Sequence, residues 1–311
     1  MKEVTLKILG TGKYIPPKTI TNADLEKMVE TTDEWIVSHT GIRVRHQAVD
    51  ENTSDLGYQA ALNALTKSKI NPETIDAIIV ATLTPDRKSP SVASLIQAKL
   101  GLNHRDIMCF DVNAACTGFV YALQIATGLL HTSSMRNILV IGAEVLTKVL
   151  DYKDRNTCIL FGDGAGALIV SKGNQQHQAS FYTASQGDIE STLVVDDILK
   201  MEGRKVYRFA IGAVEKSIKQ LLDMNHLNLD QIDQIIPHQA NYRIIETVAN
   251  NMKLPIEKFF LNIEKYGNTS AASIPICLDE YFDAHPYLPG QRIMLVGFGA
   301  GLTWGGALLT L

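Results

Sequence analysis

Asp111-Val112-Asn113-Ala114-Ala115-Cys116-Thr117-Gly118-Phe119-Val120 follows the short apolar run Ile107-Met108-Cys109-Phe110 and leads into a segment apolar at helical spacing to Leu130. The pattern predicts a buried strand that turns directly into a buried helix, with Cys116 at the junction among small residues. A helix N-terminus offers unpaired N–H groups and partial positive charge, and both lower a thiol pKa. A free cysteine is more often inert core. On this stretch alone Cys116 is either a nucleophile or packing.

Outward from Cys116 the same alternation recurs. Leu56 to Leu65 keeps helical spacing, Asn71-Pro72-Glu73-Thr74 reads as a turn, and Ala77-Ile78-Ile79-Val80-Ala81 as a buried strand. Further strands are expected at Val4–Leu9, closed by Gly10-Thr11-Gly12, and at Asn137–Ile141, Cys158–Phe161 and Ala167–Val170. Strands alternating with helices predict an α/β fold with a largely buried sheet. Gly10-x-Gly12 precedes two prolines rather than a helix, so a turn is expected there, not a phosphate loop. Gly162-Asp163-Gly164-Ala165-Gly166 lies between two expected strands, which favours a tight turn or close backbone packing. Thr21-Asn22-Ala23-Asp24-Leu25 has the form of a capped helix start. Trp35, in a polar stretch, is either a stacking face for a planar ligand or a half-buried anchor.

After a polar segment, Gly173 to Glu202, read as a bridge or cap, the pattern repeats. Ile232 echoes Ile75 (232 − 75 = 157), Gly297 echoes Gly142 (297 − 142 = 155), and the loop carrying Asn268 echoes the Cys116 loop (268 − 116 = 152). In that frame Asn262-Ile263 stands for a strand, and Lys216–Met224 and Ile274–Tyr281 for helices. Matches at nearly one offset indicate an internal duplication. The expected division is 1–172, carrying Cys116, and 173–311, carrying His238 and Asn268. His238 stands out among the histidines because a buried strand, Ile232–Ile236, delivers it. If the two sheets pack symmetrically, Cys116, His238 and Asn268 converge. That trio suits acyl transfer: a thiolate takes an acyl group from a thioester. A neutral imidazole N–H and an amide then stabilise the enolate formed as CO₂ departs.

Composition narrows the class. The 311 residues are 46% hydrophobic, enough for a large core, and the net charge of −4 gives no reason to expect nucleic acid as a partner. The four cysteines form no CxxC pair, and no HExxH or Cys/His cluster suggests a metal. No run approaches the ~18 apolar residues of a membrane span. Met1-Lys2-Glu3-Val4 carries a charge pair and no apolar stretch, so no leader is expected, and a reducing cytoplasm is the expected location.

Asn113-Ala114-Ala115-Cys116-Thr117-Gly118, Asp163-Gly164-Ala165-Gly166, Pro237-His238-Gln239-Ala240-Asn241, Gly267-Asn268-Thr269-Ser270-Ala271-Ala272-Ser273 and Gly297-Phe298-Gly299-Ala300-Gly301-Leu302-Thr303-Trp304-Gly305 resemble the β-ketoacyl-ACP synthase III family, condensing enzymes that start type II fatty acid synthesis. The resemblance runs from about Ile8 to the C-terminus. It implies a thiolase-like fold of two βαβαβαββ halves in a five-layer αβαβα arrangement, acting as a homodimer with no bound cofactor. It implies that Cys116 takes an acyl group, usually acetyl, from acyl-CoA. His238 and Asn268 then hold malonyl-ACP during decarboxylation, giving a 3-oxoacyl-ACP. By the same resemblance the Cys116 and Ala300 N–H groups form an oxyanion hole and Phe298 lies beside the thiol. Thr31, Trp35, His39, Arg155, Gly203, Ala240 and Asn241 contact CoA, and Gln239 to Arg243 (Gln239, Ala240, Asn241, Tyr242, Arg243) dock the acyl carrier protein.

Four positions depart from the family pattern. His39 replaces an arginine, Ser89 a phenylalanine closing the partner subunit's acyl pocket, Ala300 a glycine, and Asn250-Asn251 replace lysines. The basic docking patch then rests on Arg204, Lys205, Arg208, Arg243 and Lys253. Related readings are a condensing enzyme with another starter or a CoA-bound extender, and an inactive CoA- or carrier-binding homologue. Thiolases need a second catalytic cysteine, and Cys277 lies on an expected helix, where packing is the expected role.

Overall fold

The computed structural model describes residues 4–311, so Met1-Lys2-Glu3 and the expectation placed on them lie outside the described residues. The first half opens with β1 (Lys7–Tyr14). A small ribbon, β2 (Lys18–Thr21) and β3 (Val44–Gln47), then encloses helices α1 (Asn22–Leu25) and α2 (Asp33–Thr40). Next come α3 (Thr53–Ser68), β4 (Ile75–Ala81), α4 (Val92–Lys99), β5 (Met108–Val112), α5 (Gly118–Thr132), β6 (Asn137–Glu144), α6 (Arg155–Cys158) and β7 (Gly164–Ser171). The second half has β8 (Ala179–Ser185), the ribbon β9 (Leu193–Val195) and β10 (Leu199–Met201), and the long helix α7 (Gly203–Asn225). It continues with β11 (Gln234–Pro237), α8 (Tyr242–Asn251), α9 (Ile263–Tyr266), α10 (Ser273–Ala284), β12 (Arg292–Gly299) and β13 (Thr303–Thr310).

Two sheets carry the architecture, ordered β1-β7-β6-β4-β5 and β8-β13-β12-β11. In both, the first two neighbour pairs are antiparallel and the next is parallel. Where β5 pairs with β4, the second sheet has only a parallel bridge from Ile235 to Phe259. The strands are apolar on both faces because both are covered. Ala77, Ile79 and Val140 face α5 and α10 in the middle layer, while Ile78, Val80 and Ile141 face the α3 and α4 side. α7 and α8 close the far side over Met294 and Val296. The order of layers is αβαβα, the thiolase-like arrangement.

The structure corrects several expectations. Gly10-Thr11-Gly12 is no turn but the middle of β1: a Cβ on Gly12 would strike the backbone of α3 at Ala60 and Ala64, so the glycines let helix and strand touch. Cys158–Phe161 is not a strand; α6 ends at Cys158, and only Phe161 makes a bridge, to Asn268. Gly164-Ala165-Gly166 belongs to β7 itself and not to a turn, while the close backbone packing that was the other expectation is present, Gly166 lying against Pro275 and Ile276. Asn262-Ile263 begins the short helix α9, because Asn262 N–H and Ile263 N–H both donate to Gln239 Oε1 instead of to a strand. The bridge segment Gly173–Glu202 supplies β8, the edge of the second sheet, as well as the β9–β10 ribbon.

The repeat register also tightens. Ala115 and Ser270 both hold a left-handed φ, 46° and 47°, at the start of a single 3₁₀ turn before α5 and α10. They are 155 apart (270 − 115), as are Gly142 and Gly297. Asn268 is therefore the counterpart of Asn113, and Cys116 that of Ala271. A Cβ on Gly142 would collide with the Ala271 carbonyl oxygen, and one on Gly297 would lie 3.3 Å from Thr117 Cα. Gly142→Ala is expected to lower stability in urea by about 1–3 kcal/mol, the usual cost of overpacking a close contact. An unchanged midpoint would show that the halves tolerate separation there.

Candidate active site

Cys116, His238 and Asn268 line one cavity, about 710 Å³ including its open mouth, at the seam between the halves. Each arrives on a main-chain feature. The 3₁₀ turn Ala115–Thr117 presents Cys116 directly before α5, β11 ends one residue before His238, and Asn268 precedes the matching turn Ser270–Ala272. All three are almost fully buried. Leu193, Met201, Phe209 and Ile244 make the rest of the wall largely apolar.

Hydrogen bonds fix which atoms face the cavity. Asn268 Oδ1 accepts the Ser270 N–H at 2.9 Å, which leaves the amide NH₂ as the free end. Ser273 Oγ lies 2.6 Å from His238 Nδ1 and 3.4 Å from the Gln239 N–H. Nδ1 is thereby engaged and Nε2 is the free ring nitrogen; where the hydroxyl donates to Nδ1, Nε2 carries the imidazole proton. Burial holds His238 down at about 3, and the ring is neutral. Phe298 packs edge-on to it, with ring centroids 5.2 Å apart. Two neutral donors thus border an apolar space beside a sulfur.

The thiol is subject to an effect the sequence did not show. Burial pushes Cys116 up to about 12; the Ser270 hydroxyl and its own backbone pull the other way, and the Glu144 charge adds to the rise. Loss of water thus opposes the helix end that follows the thiol. Cys277 is fully buried and donates its S–H to Phe260 O at 3.3 Å, the packing role expected of it.

The remaining expected residues divide by location. Gly203, Ala240 and Asn241 line the cavity. Thr31, Trp35, His39 and Arg155 do not; three of them form an outer cluster in which His39 stacks on Trp35 at 4.2 Å and Arg155 Cζ lies 4.7 Å from the indole. Trp35 is half-buried and already carries two stacked groups. Asn241 Nδ2 donates to His39 O at 3.0 Å and joins this cluster to the cavity mouth. Ala300 is not in the lining, but Thr303 Oγ1, 3.0 Å from Ala300 O and from Ala114 O, ties its turn to the Cys116 turn. Ala300 is absent from the left-handed φ positions, so a Cβ is tolerated there.

Gln239 is a correction. It is buried, bonded to Pro237 O, Asn262 N and Ile263 N, and cannot belong to a docking surface. Tyr242 is partly exposed and Arg243 exposed, with Arg243 Nε donating to Ser38 O. Of the basic residues, Lys205 is taken up by Glu190 and Glu202. Ser89 is exposed and outside this chain's cavity. Sequence reasoning missed Ser273; its place three residues after Ser270 on the first turn of α10 was the available signal. It also missed Glu144, a wholly buried carboxylate. Among the described residues no group of three or more His, Cys, Asp or Glu is placed to hold a metal ion.

The fold and this trio define a thiolase-fold condensing enzyme, an acyltransferase. Residues 110–188 match the family described as 3-oxoacyl-[acyl-carrier-protein (ACP)] synthase III, and residues 222–311 match its C-terminal region. The chain is 50% identical to a β-ketoacyl-[acyl-carrier-protein] synthase III of Acholeplasma laidlawii over 99% of each chain, and 45% identical to that of Clostridium acetobutylicum over 98% of each. The crystal structure of 3-oxoacyl-[acyl-carrier-protein] synthase III from Aquifex aeolicus superposes with a TM-score of 0.95 at 42% identity, covering 98% of this chain and all of that one. The chain belongs to the β-ketoacyl-[acyl-carrier-protein] synthase III family.

The neutral His238 makes stability depend on pH. Its folded pKa, about 3, lies below the ordinary 6.5. As pH falls the unfolded chain takes this proton first, so stability present above 6.5 drains away between 6.5 and 3. Urea midpoints at pH 7 and pH 5 should differ more for the wild type than for His238→Ala.

Proposed function

We propose that the protein performs decarboxylative Claisen condensation of an acyl-CoA primer, acetyl-CoA in the first instance, with malonyl-ACP, using Cys116, His238 and Asn268. The observation that carries this reading is the convergence of one sulfur and two fixed neutral donors on a single apolar cavity.

The Cys116 thiolate attacks the primer thioester, and CoA leaves behind an acyl-Cys116. The Cys116 and Ala300 N–H groups receive the oxyanion. Malonyl-ACP then places its thioester oxygen between His238 Nε2–H and the Asn268 amide. As CO₂ departs, charge collects on that oxygen as an enolate, which these donors stabilise without a proton transfer. The enolate carbon attacks acyl-Cys116, expelling the thiolate and giving 3-oxoacyl-ACP. Because the donors are neutral and the walls apolar, the site favours losing the malonyl carboxylate as uncharged CO₂ over retaining it.

In this reading the nucleophile belongs to the half 1–172 and both donors to the half 173–311. Gly203, Ala240 and Asn241 line the pantetheine path, while Thr31, Trp35, His39 and Arg155 hold the nucleotide end. Tyr242 and Arg243, with Arg204 and Arg208, meet the acidic carrier protein. No bound cofactor enters these steps. We place the enzyme in the cytoplasm as a homodimer: β5 is an open sheet edge with Met108 exposed, and Ser89 reaches an acyl pocket only across an interface.

Intact-protein mass spectrometry with acyl-CoAs tests the roles. Cys116→Ala should take no acyl adduct. His238→Ala and Asn268→Ala should load normally and lose malonyl-ACP decarboxylation by about 10²–10³-fold, the usual loss for one oxyanion donor. Normal condensation by either variant would overturn the assignment.

A further inference from the structure

His238 Nε2 and the Asn268 amide must reach the same thioester oxygen, so the spacing of the two segments that carry them has to be held to within a fraction of an ångström. One segment is the end of β11, and the other is the chain that enters α9. β11 is the edge of its sheet. Among the described residues the neighbouring chain pairs with it by main chain only at Ile235, through a bridge to Phe259 and a bond from Phe260 N–H to Ile235 O at 2.9 Å. Towards His238 that pairing stops, and Pro237 has no N–H to extend it.

Gln239 takes over where the ladder ends. It follows His238 directly and is 1% exposed. Its Nε2 donates to Pro237 O at 2.8 Å and to Phe260 O at 3.3 Å. Its Oε1 accepts the Asn262 and Ile263 N–H groups at 3.1 and 3.2 Å. Carbonyls only accept and peptide N–H groups only donate, so these four partners fix the direction of the amide. The side chain thus acts as an extra peptide group between β11 and the entry to α9. A buried amide engaged at both its nitrogen and its oxygen is a rigid strut.

Both ends of the strut lead straight to a donor. Pro237 precedes His238, and the Gln239 N–H lies 3.4 Å from Ser273 Oγ, the hydroxyl that engages His238 Nδ1 at 2.6 Å. α9 is one turn long, closed by Gly267 N–H on Ile263 O at 2.9 Å, and Asn268 is the next residue. Cys116 stands apart. Its turn is held by Thr117 N–H on Ala114 O, and by Thr303 Oγ1 at 3.0 Å from both Ala114 O and Thr117 Oγ1. None of the partners of Gln239 belongs to that turn.

We infer that Gln239 is a positioning residue that sets the gap between the two enolate donors and leaves the placement of the nucleophile alone. It lies outside the cavity lining and acts through His238 and Asn268. Its effect is confined to the step in which charge collects on the thioester oxygen, where both donors must meet one atom.

The role rests on the decarboxylation proposed above, and the two fail in different ways. Gln239→Glu keeps the shape and the oxygen that accepts from Asn262 and Ile263, and gives up the amide NH₂. Gln239→Met keeps the length and gives up all four side-chain bonds. Loading from acetyl-CoA is followed by the intact mass of the enzyme, and turnover of malonyl-ACP by the mass of the carrier-protein product, with urea midpoints to monitor folding. Loading should stay within about twofold of the wild type in both variants. Malonyl-ACP turnover should fall about tenfold in Gln239→Glu and about 10²-fold in Gln239→Met, in kcat with KM little changed. If Gln239→Met does not fold, Gln239→Glu decides alone. Loading and turnover that fall by the same factor, as a general loss of structure would produce, overturn the role; so does undiminished turnover, or a change confined to KM. A wild type that loads acetyl yet leaves malonyl-ACP intact overturns the decarboxylation itself, and this role with it.

Discussion

The two halves meet backbone to backbone, and the site depends on that contact. Gly142 of β6 lies against the Ala271 carbonyl, while Gly297 and Gly299 of β12 lie against the turn that carries Cys116. Only residues without a Cβ allow a main chain to come so close to another. The helices that follow the two turns, α5 and α10, share the middle layer and its apolar core with both sheets. Their starting points are thereby fixed against each other by main chain and rigid elements. A sulfur and an amide placed this way need no long, flexible side chains to find their positions.

Within that frame the duplicated positions have diverged. Cys116 faces Ala271 in the repeat, Glu144 faces Gly299, and Ser270 faces Ala115. Cys116 and Glu144 stand on one half, and Ser270, His238 and Asn268 on the other. Burial disfavours charge on both the Cys116 thiol and the His238 imidazole. Water would quench such a site by solvating the intermediates, and an apolar wall avoids this. Charge then appears only during reaction, where the fixed donors meet it.

Much of this was legible in the chain. Ala77–Ala81 and Ile138–Ile141 are continuous apolar runs because both of their faces are covered, and their shortness and β-branched content favour a strand over a buried helix segment. The second half showed the same order of elements, and Cys116, His238 and Asn268 emerged from it as a trio. Other features turned on contacts invisible locally. Gly10 and Gly12 resemble turn residues until α3 is packed on them. Asn262-Ile263 resembles a strand until Gln239 claims its N–H groups. The repeat register slipped by three residues because the left-handed φ shared by Ala115 and Ser270 is a backbone property that their side chains do not advertise. The thiol's surroundings were half legible for a related reason: the helix end is visible in sequence, and the depth of burial is not.

Asn113 and Asn268 show how a folding device becomes a functional one. Each uses Oδ1 to accept the N–H of the left-handed residue two positions on, Ala115 at 3.3 Å and Ser270 at 2.9 Å. That bond stabilises the same tight turn in both halves, so the fold has reason to keep an asparagine at both places. It also decides the direction of the amide, since an oxygen committed to the turn leaves the NH₂ pointing elsewhere. Only Asn268 lines the cavity, beside the strand end that delivers His238. The hydrogen bond that folds the turn therefore sets which end of the Asn268 amide is left for the cavity. Aspartate would satisfy the turn equally well and present a negative charge there in place of a neutral donor.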